Sequence, residues 1–280
     1  MITLSSAPEM QRLALEARAA GRSVGLVPTM GALHEGHLSL VRAARRDNHW
    51  VVVSLFVNPT QFGPNEDYYR YPRDLEGDQR KLEAERVDVL WAPALADVYP
   101  PGYQTYIELE EVGRRMEGES RPTHFRGVAT VVSKLFNVTQ PHRAYFGQKD
   151  AAQTAVIRRL VKDLNFPVEI IVCPIVRELD GLAMSSRNTY LSSEERKFAT
   201  VLHRALQEAE TCHRAGVCSA EVLERVMKEI IDAEPLAKLD YAKVVDPDTL
   251  VPLEIVDRAA LAAVAARIGS TRLIDNLLLR

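Results

Sequence analysis

The run Val24-Gly25-Leu26-Val27-Pro28-Thr29-Met30-Gly31-Ala32-Leu33-His34-Glu35-Gly36-His37-Leu38 joins a short apolar strand, Val24 to Pro28, to a helical pattern from Leu38 to Arg46. A strand that gives way to a helix across a glycine-bearing turn is the repeating unit of an open α/β sheet. The same alternation continues outward. Val51 to Val57 is almost unbroken β-formers, as expected of a strand covered on both faces. Leu75 to Glu85 reads as a helix and Val87 to Trp91 as a strand. In Phe125 to Val138, residues Val128, Val131, Val132, Leu135 and Phe136 share one helical face. Ala144 to Phe146 is a further strand, Ala151 to Asp163 a helix, and Val168 to Val172 closes the series. Such alternation predicts right-handed crossovers and a mostly parallel, Rossmann-like sheet flanked by helices.

The character changes after Pro174. Ser192-Ser193-Glu194-Glu195 is a capping signal for one long helix toward Ala215, and Ser219 caps another that ends near Ala233. Strand-like runs follow at Leu239 to Val245, Leu261 to Ala266 and Arg272 to Leu278. The expected organisation is a Rossmann-like domain over 1–175 and a smaller α+β domain over 176–280.

Composition excludes several classes. The 280 residues are 46% hydrophobic and 26% charged, enough for a sizeable core, and the net charge is -3 with no basic run. A nucleic-acid partner would leave a basic footprint, so none is expected. No apolar stretch is long enough to span a bilayer, and Met1-Ile2-Thr3-Leu4 does not open a secretion signal. Cys173, Cys212 and Cys218 form no Cys-x-x-Cys pair, so they read as reduced, mostly buried thiols and the protein as cytoplasmic.

The turn between strand and helix carries the first chemistry. Ligands of open α/β sheets sit at the carboxyl ends of strands, and a helix N-terminus favours phosphate. Gly31 and Gly36 admit close backbone approach, and His34 and His37 share one side of the first helical turn. Taken alone, His-x-x-His also fits a glycine-rich turn with two surface histidines. A metal site lacks a third ligand nearby.

His34-Glu35-Gly36-His37 resembles the His-Ile-Gly-His motif of the nucleotidyltransferase superfamily. Gly181-Leu182-Ala183-Met184-Ser185-Ser186-Arg187-Asn188 is similar in kind to that superfamily's second, mobile Lys-Met-Ser-Lys-Ser segment. Further motifs narrow the likeness: Phe56 to Gly63, Tyr71-Pro72-Arg73, Arg121 to Val128, Phe146 to Gln153 and Val176-Arg177-Glu178. With these the chain resembles the pantoate–β-alanine ligase family from about Leu26 to Ser192, and more weakly to Thr271-Arg272-Leu273-Ile274-Asp275-Asn276. It departs from the usual pattern at Gln148, Thr60 and Asp74, where Glu, Met and Thr are frequent.

The resemblance implies an enzyme that activates pantoate with ATP as an acyl adenylate and transfers the acyl group to β-alanine. It implies that His34, His37 and Lys149 contact the phosphates, with Met30 and Gly31 beside them. Gly147 and Asp150 would take the ribose, Val176 the adenine, and Met184, Ser185, Ser186 and Arg187 the triphosphate. Gln61 and Gln153 would bind pantoate, with Asn58, Tyr71 and Arg121 at the β-alanine end or the site wall. Asp78 would assist Mg²⁺, and the family implies a homodimer. No residue of these motifs is a dedicated base for the β-alanine ammonium. Two other readings share features with this one. A nucleotidyltransferase that keeps the nucleotide in its product would not need Gln61 and Gln153, and a non-catalytic nucleotide sensor would tolerate loss of the histidines or Lys149.

Overall fold

The computed structural model describes residues 1–64 and 66–280. The chain divides into two units, Met1–Gly147 with Val156–Cys173, and Gln148–Ala155 with Pro174–Arg280.

The first unit holds strands β1 (Ile2–Leu4), β2 (Val24–Thr29), β3 (Trp50–Leu55), β4 (Val89–Trp91), β5 (Arg143–Gly147) and β6 (Glu169–Cys173). Its helices are α1 (Ala7–Ala19), α2 (Glu35–Asp47), α3 (Leu75–Ala84), α4 (Leu95–Val98), α5 (Glu117–Ser120) and α6 (His124–Thr139), and α7 (Ala151–Asp163) follows β5. All six strands pair in parallel, in the order β1-β4-β3-β2-β5-β6. The fold class is the expected α/β one. Central strands carry β-branched side chains on both faces, and Val24, Leu26, Val27, Val51, Val52 and Val53 are completely buried.

β1, α1 and the one-turn helices α4 and α5 lie outside the sequence reading. β1 is three residues long and takes the sheet edge beside β4. α1 carries a legible signal, since the Ser6 side chain caps it and Pro8 stands in its first turn.

Strand order reverses at β2. From it the chain moves outward through β3 and β4 on one side and through β5 and β6 on the other. β2 and β5 pair only at Gly25–Arg143 and Leu26–Ala144 and then part, because Pro28 has no N–H for a ladder. The crevice therefore opens between Thr29 and Gly147, where doubly wound sheets place ligands.

The second unit contains α8 (Ser193–Phe198), α9 (Val201–Arg214), α10 (Ala220–Asp232) and the antiparallel strands β7 (Ala237–Val245), β8 (Ala260–Ile268) and β9 (Thr271–Leu279) in sheet order β7-β8-β9. Leu202, Leu206, Leu223, Met227, Val264 and Ile268 build its own core. One correction concerns the helix expected to run from Ser192 to Ala215. It divides at Ala199–Thr200, where the Thr200 hydroxyl takes the Lys197 carbonyl at 3.0 Å and competes for the helical ladder. A second concerns the cysteines. Cys173 is buried and Cys212 half-buried, whereas Cys218 is exposed.

Candidate active site

In the first unit, the turn after β2 adopts left-handed backbone at Gly31 (φ 84°) and Ala32 (φ 52°). Alanine at φ 52° is unfavourable and needs outside support. α3 supplies it. The completely buried Asp78 accepts the Ala32 N–H through Oδ2 at 2.8 Å and the Leu33 N–H through Oδ1 at 2.7 Å. Lys81, one turn along, donates to the Leu33 carbonyl at 2.7 Å. Burial pushes the Asp78 carboxyl above its ordinary value, against the two amides and the Lys81 charge.

Asp78, the residue expected to assist Mg²⁺, spends one oxygen on each of these two amides. Among the described residues, no group of three or more His, Cys, Asp or Glu side chains could hold a metal ion.

The turn ends in an unusual helix cap. His34 is the N-cap of α2, and its Nδ1 accepts the Gly36 N–H at 3.1 Å. His37 closes the box by accepting the His34 N–H at its own Nδ1, at 3.4 Å. The rings lie 4.2 Å apart. α2 thus begins at Glu35, three residues before the helix start read from the sequence. An Nδ1 that accepts a backbone N–H carries no hydrogen, so these hydrogen bonds assign the proton of each neutral ring to Nε2. An imidazolium would aim a second N–H at the backbone donor and break the cap.

The second cluster follows β3. Asn58 caps a short 3-10 turn, Pro59–Gln61, and is 1% exposed. Its Nδ2 donates to Gln61 Oε1 and to the Gly127 carbonyl, both at 3.1 Å. Its Oδ1 accepts from the hydroxyls of Thr60 and Tyr99, both at 2.9 Å. Thr60, one of the departures from the family pattern, thereby steadies Asn58. Asn58 acts as an organiser of Gln61, whose Nε2 reaches Met30 Sδ at 3.1 Å and links the two loops. Burial pushes Tyr99 up to about 12.

Arg121 is already matched. It grips Glu66 through two hydrogen bonds of 2.6 Å and donates to the Gln61 carbonyl at 3.2 Å. Burial pushes the Glu66 carboxyl up, but the Arg121 bonds and charge outweigh it and hold the carboxyl below its ordinary value. His124 Nδ1 meets the same Gln61 carbonyl at 2.9 Å. Arg121, expected at the β-alanine end or the site wall, supports the Gln61 turn through these bonds. Tyr71 is 5% exposed and packs edge-on against Phe62, as a wall residue does. At the end of β5, a Cβ built on Gly147 would meet nothing within 4 Å. Asp74, another departure, caps α3 by accepting the Gly77 N–H at 2.9 Å.

The second unit carries the other expected residues. Lys149 and Asp150 stand on the 3-10 turn Gln148–Asp150, with Lys149 Nζ 3.7 Å from Asp150 Oδ1. Gln153 lies on the first turn of α7. Val176 starts a short hairpin, its carbonyl accepting the Met184 N–H at 3.0 Å while Arg177 bridges Ala183. Ser185, Ser186 and Arg187 form a capped 3-10 turn in place of a loose loop, with Ser185 Oγ accepting the Arg187 N–H at 3.2 Å. Asn188 ties that turn back by donating to Glu178 Oε1 and to the Ala183 carbonyl, both at 3.1 Å. Sequence reasoning assigned no task to Asp275, whose carboxylate holds Arg177, or to Asn276, which holds the Gln148–Lys149 backbone.

The family described as pantoate-beta-alanine ligase matches residues 2–278. A pantothenate synthetase of Roseiflexus castenholzii is 62% identical over 257 residues, 92% of either chain. One from Thermotoga petrophila is 54% identical over 279 residues, 100% of both. The crystal structure of pantothenate synthetase from Thermus thermophilus superposes with a TM-score of 0.93, at 50% identity and 99% coverage of each chain. That of pantoate-beta-alanine ligase from Francisella tularensis, complexed with beta-gamma ATP and beta-alanine, gives 0.82 at 37% identity, covering 99% of this chain and 97% of the other.

Proposed function

The chain belongs to the pantoate–β-alanine ligase family, and from that premise we infer that it condenses pantoate with β-alanine at the expense of ATP. A carboxylate is a poor acyl donor because its leaving group would be oxide. The pantoate carboxylate attacks the α-phosphorus and expels pyrophosphate. The β-alanine amine then attacks the acyl carbon of the adenylate and expels AMP, leaving pantothenate.

The observation that carries the residue assignments is the double-histidine cap. With Nδ1 of both rings accepting backbone N–H groups, each Nε2–H is a hydrogen-bond donor suited to phosphoryl oxygens whose charge grows during displacement. His34 and His37 act as donors fixed by the helix start, not as acids that surrender a proton. Nor do they offer a lone pair to the β-alanine ammonium, which reaches the site neutral or loses its proton to water or to phosphate oxygens. Lys149 and Arg187 add positive charge at the triphosphate, with Ser185 and Ser186 donating neutral hydrogen bonds. Gly147 and Asp150 take the ribose and the Val176 backbone the adenine, with Met30, Gly31 and Met184 flanking the nucleotide. Gln61 and Gln153 read the pantoate hydroxyls and carboxylate, since an amide both donates and accepts. Mg²⁺ would be held chiefly by the nucleotide phosphates and water, with Asp78 near the turn, and would supply neutralisation of the phosphate charge. A cytoplasmic homodimer completes the reading. No helix among the described residues is long and apolar enough to cross a membrane.

Isotope exchange tests the assignment. Exchange of labelled pyrophosphate into ATP should require pantoate and proceed without β-alanine, while AMP release should need both. Exchange that ignores pantoate would sink the assignment, and a product that retains the nucleotide would favour a nucleotidyltransferase.

A further inference from the structure

β9 reads Thr271-Arg272-Leu273-Ile274-Asp275-Asn276-Leu277-Leu278-Leu279, and its two central polar residues are each only 3% exposed. A buried carboxylate and a buried amide destabilise a strand unless their hydrogen bonds are met. Here the bonds run to two separate segments of the same unit. Asn276 Nδ2 donates to the carbonyls of Gln148 and Lys149, both at 2.9 Å, and Asn276 Oδ1 accepts from Gln148 Nε2 at 3.0 Å. Asp275 takes the Arg177 guanidinium in a two-pronged grip at 2.6 and 2.9 Å. Arg177 passes the constraint on by donating to the Gly181 carbonyl at 3.0 Å. Gly181 sits at φ 94°, and a Cβ there would stand 2.2 Å from the His203 ring, so the hairpin tip has one place to be. Asp275 Oδ1 also accepts the Asn276 N–H at 2.8 Å, which locks the two residues to one another.

We propose that Asp275 and Asn276 are positioning residues for adenylation. One dipeptide sets the backbone at Lys149 and the hairpin that leads into Ser185, Ser186 and Arg187, so that both segments keep a fixed spacing for a single triphosphate. This rests on the reading of Lys149 and Ser185 to Arg187 as phosphate contacts. Neither Asp275 nor Asn276 contacts the nucleotide; both act through the residues they hold.

Asn276→Leu keeps the approximate size and suits a leucine-rich strand, yet it strips the Gln148 and Lys149 carbonyls of their donor. Pantoate-dependent pyrophosphate exchange should slow, or the ATP KM rise, by about tenfold or more, since misplacement by about 1 Å costs up to 100-fold. The KM for β-alanine should stay within about twofold. The double variant Lys149→Ala/Asn276→Leu should be no slower than Lys149→Ala alone, because with the ammonium gone its placement has no value. Independent, multiplicative losses would overturn the proposal, as would a folded Asn276→Leu with wild-type ATP kinetics. A Lys149→Ala enzyme with unchanged exchange would overturn the phosphate role of Lys149 and the clamp with it. If Asn276→Leu fails to fold, Asp275→Asn, equal in size, carries the same ATP criterion: a folded variant with wild-type ATP KM and exchange rate overturns the clamp.

Discussion

His34 uses its two ring nitrogens for different ends. Nδ1 begins a helix, and on the proposed reading the Nε2 hydrogen serves a phosphate oxygen. The two duties separate by substitution. His34→Ala should lower stability by about 1 kcal/mol through loss of the cap, and slow adenylation as well. His34→Asn should recover most of the melting temperature, since asparagine caps helices well, and recover little of the exchange rate. Parallel recovery of both would mean that the ring serves the fold alone. At Glu66 the charge state matters. Its carboxyl sits below its ordinary value of 4.5 in the folded protein, so the Arg121 pair stabilises fully above that value. That contribution is lost as pH falls through the lower, folded value. Denaturant melts from about pH 6 down to about 3 should therefore show a steeper acid limb for wild type than for Glu66→Gln. Identical limbs would show that the pair contributes nothing at equilibrium.

Between elements, α6 and the 3-10 turn that carries Gln61 approach each other closely. A Cβ on Gly127 would stand 2.4 Å from the Thr60 carbonyl oxygen and 2.6 Å from the Gln61 nitrogen. Backbone meets backbone there, so no side chain can swing away. Gly127→Ala should destabilise by roughly 1–3 kcal/mol and raise the pantoate KM about tenfold, with a smaller change for ATP. Thermal melts and steady-state kinetics check this, and an unchanged pantoate KM would uncouple the helix from Gln61. Elements are legible where pattern runs long. β2, β3 and α6 declare themselves through continuous β-formers and a helical stripe. β1 stays hidden because three residues show no period, and the α8–α9 break because a threonine inside a helical run ordinarily points outward. The helix start at Glu35 escapes the sequence because histidine is an uncommon cap.

At the scale of the whole molecule, alternation of strand and helix announces a parallel sheet, but strand order is a matter of non-local pairing. Nothing in Ile2 to Leu4 points to Val89 to Trp91. The residues proposed to contact the substrates cluster in short motifs that the sequence displays, whereas the residues that hold them do not. Asn276 meets the backbone of Gln148 and Lys149 across more than a hundred positions, and Asp78 reaches Ala32 and Leu33 across more than forty. Such partners become visible only in three dimensions. Gly147 is different again. Its backbone is not left-handed, and open space surrounds the position where a side chain would go, so the polypeptide by itself has no use for glycine there. Gly147→Ala should melt like wild type and differ only when ATP is titrated, with weaker affinity by calorimetry; equal affinity would show that the nucleotide stays clear of that methyl group. On the proposed reading, the open space beside Gly147 is kept for the nucleotide, so the absence of a side chain there would matter only once the complex has formed.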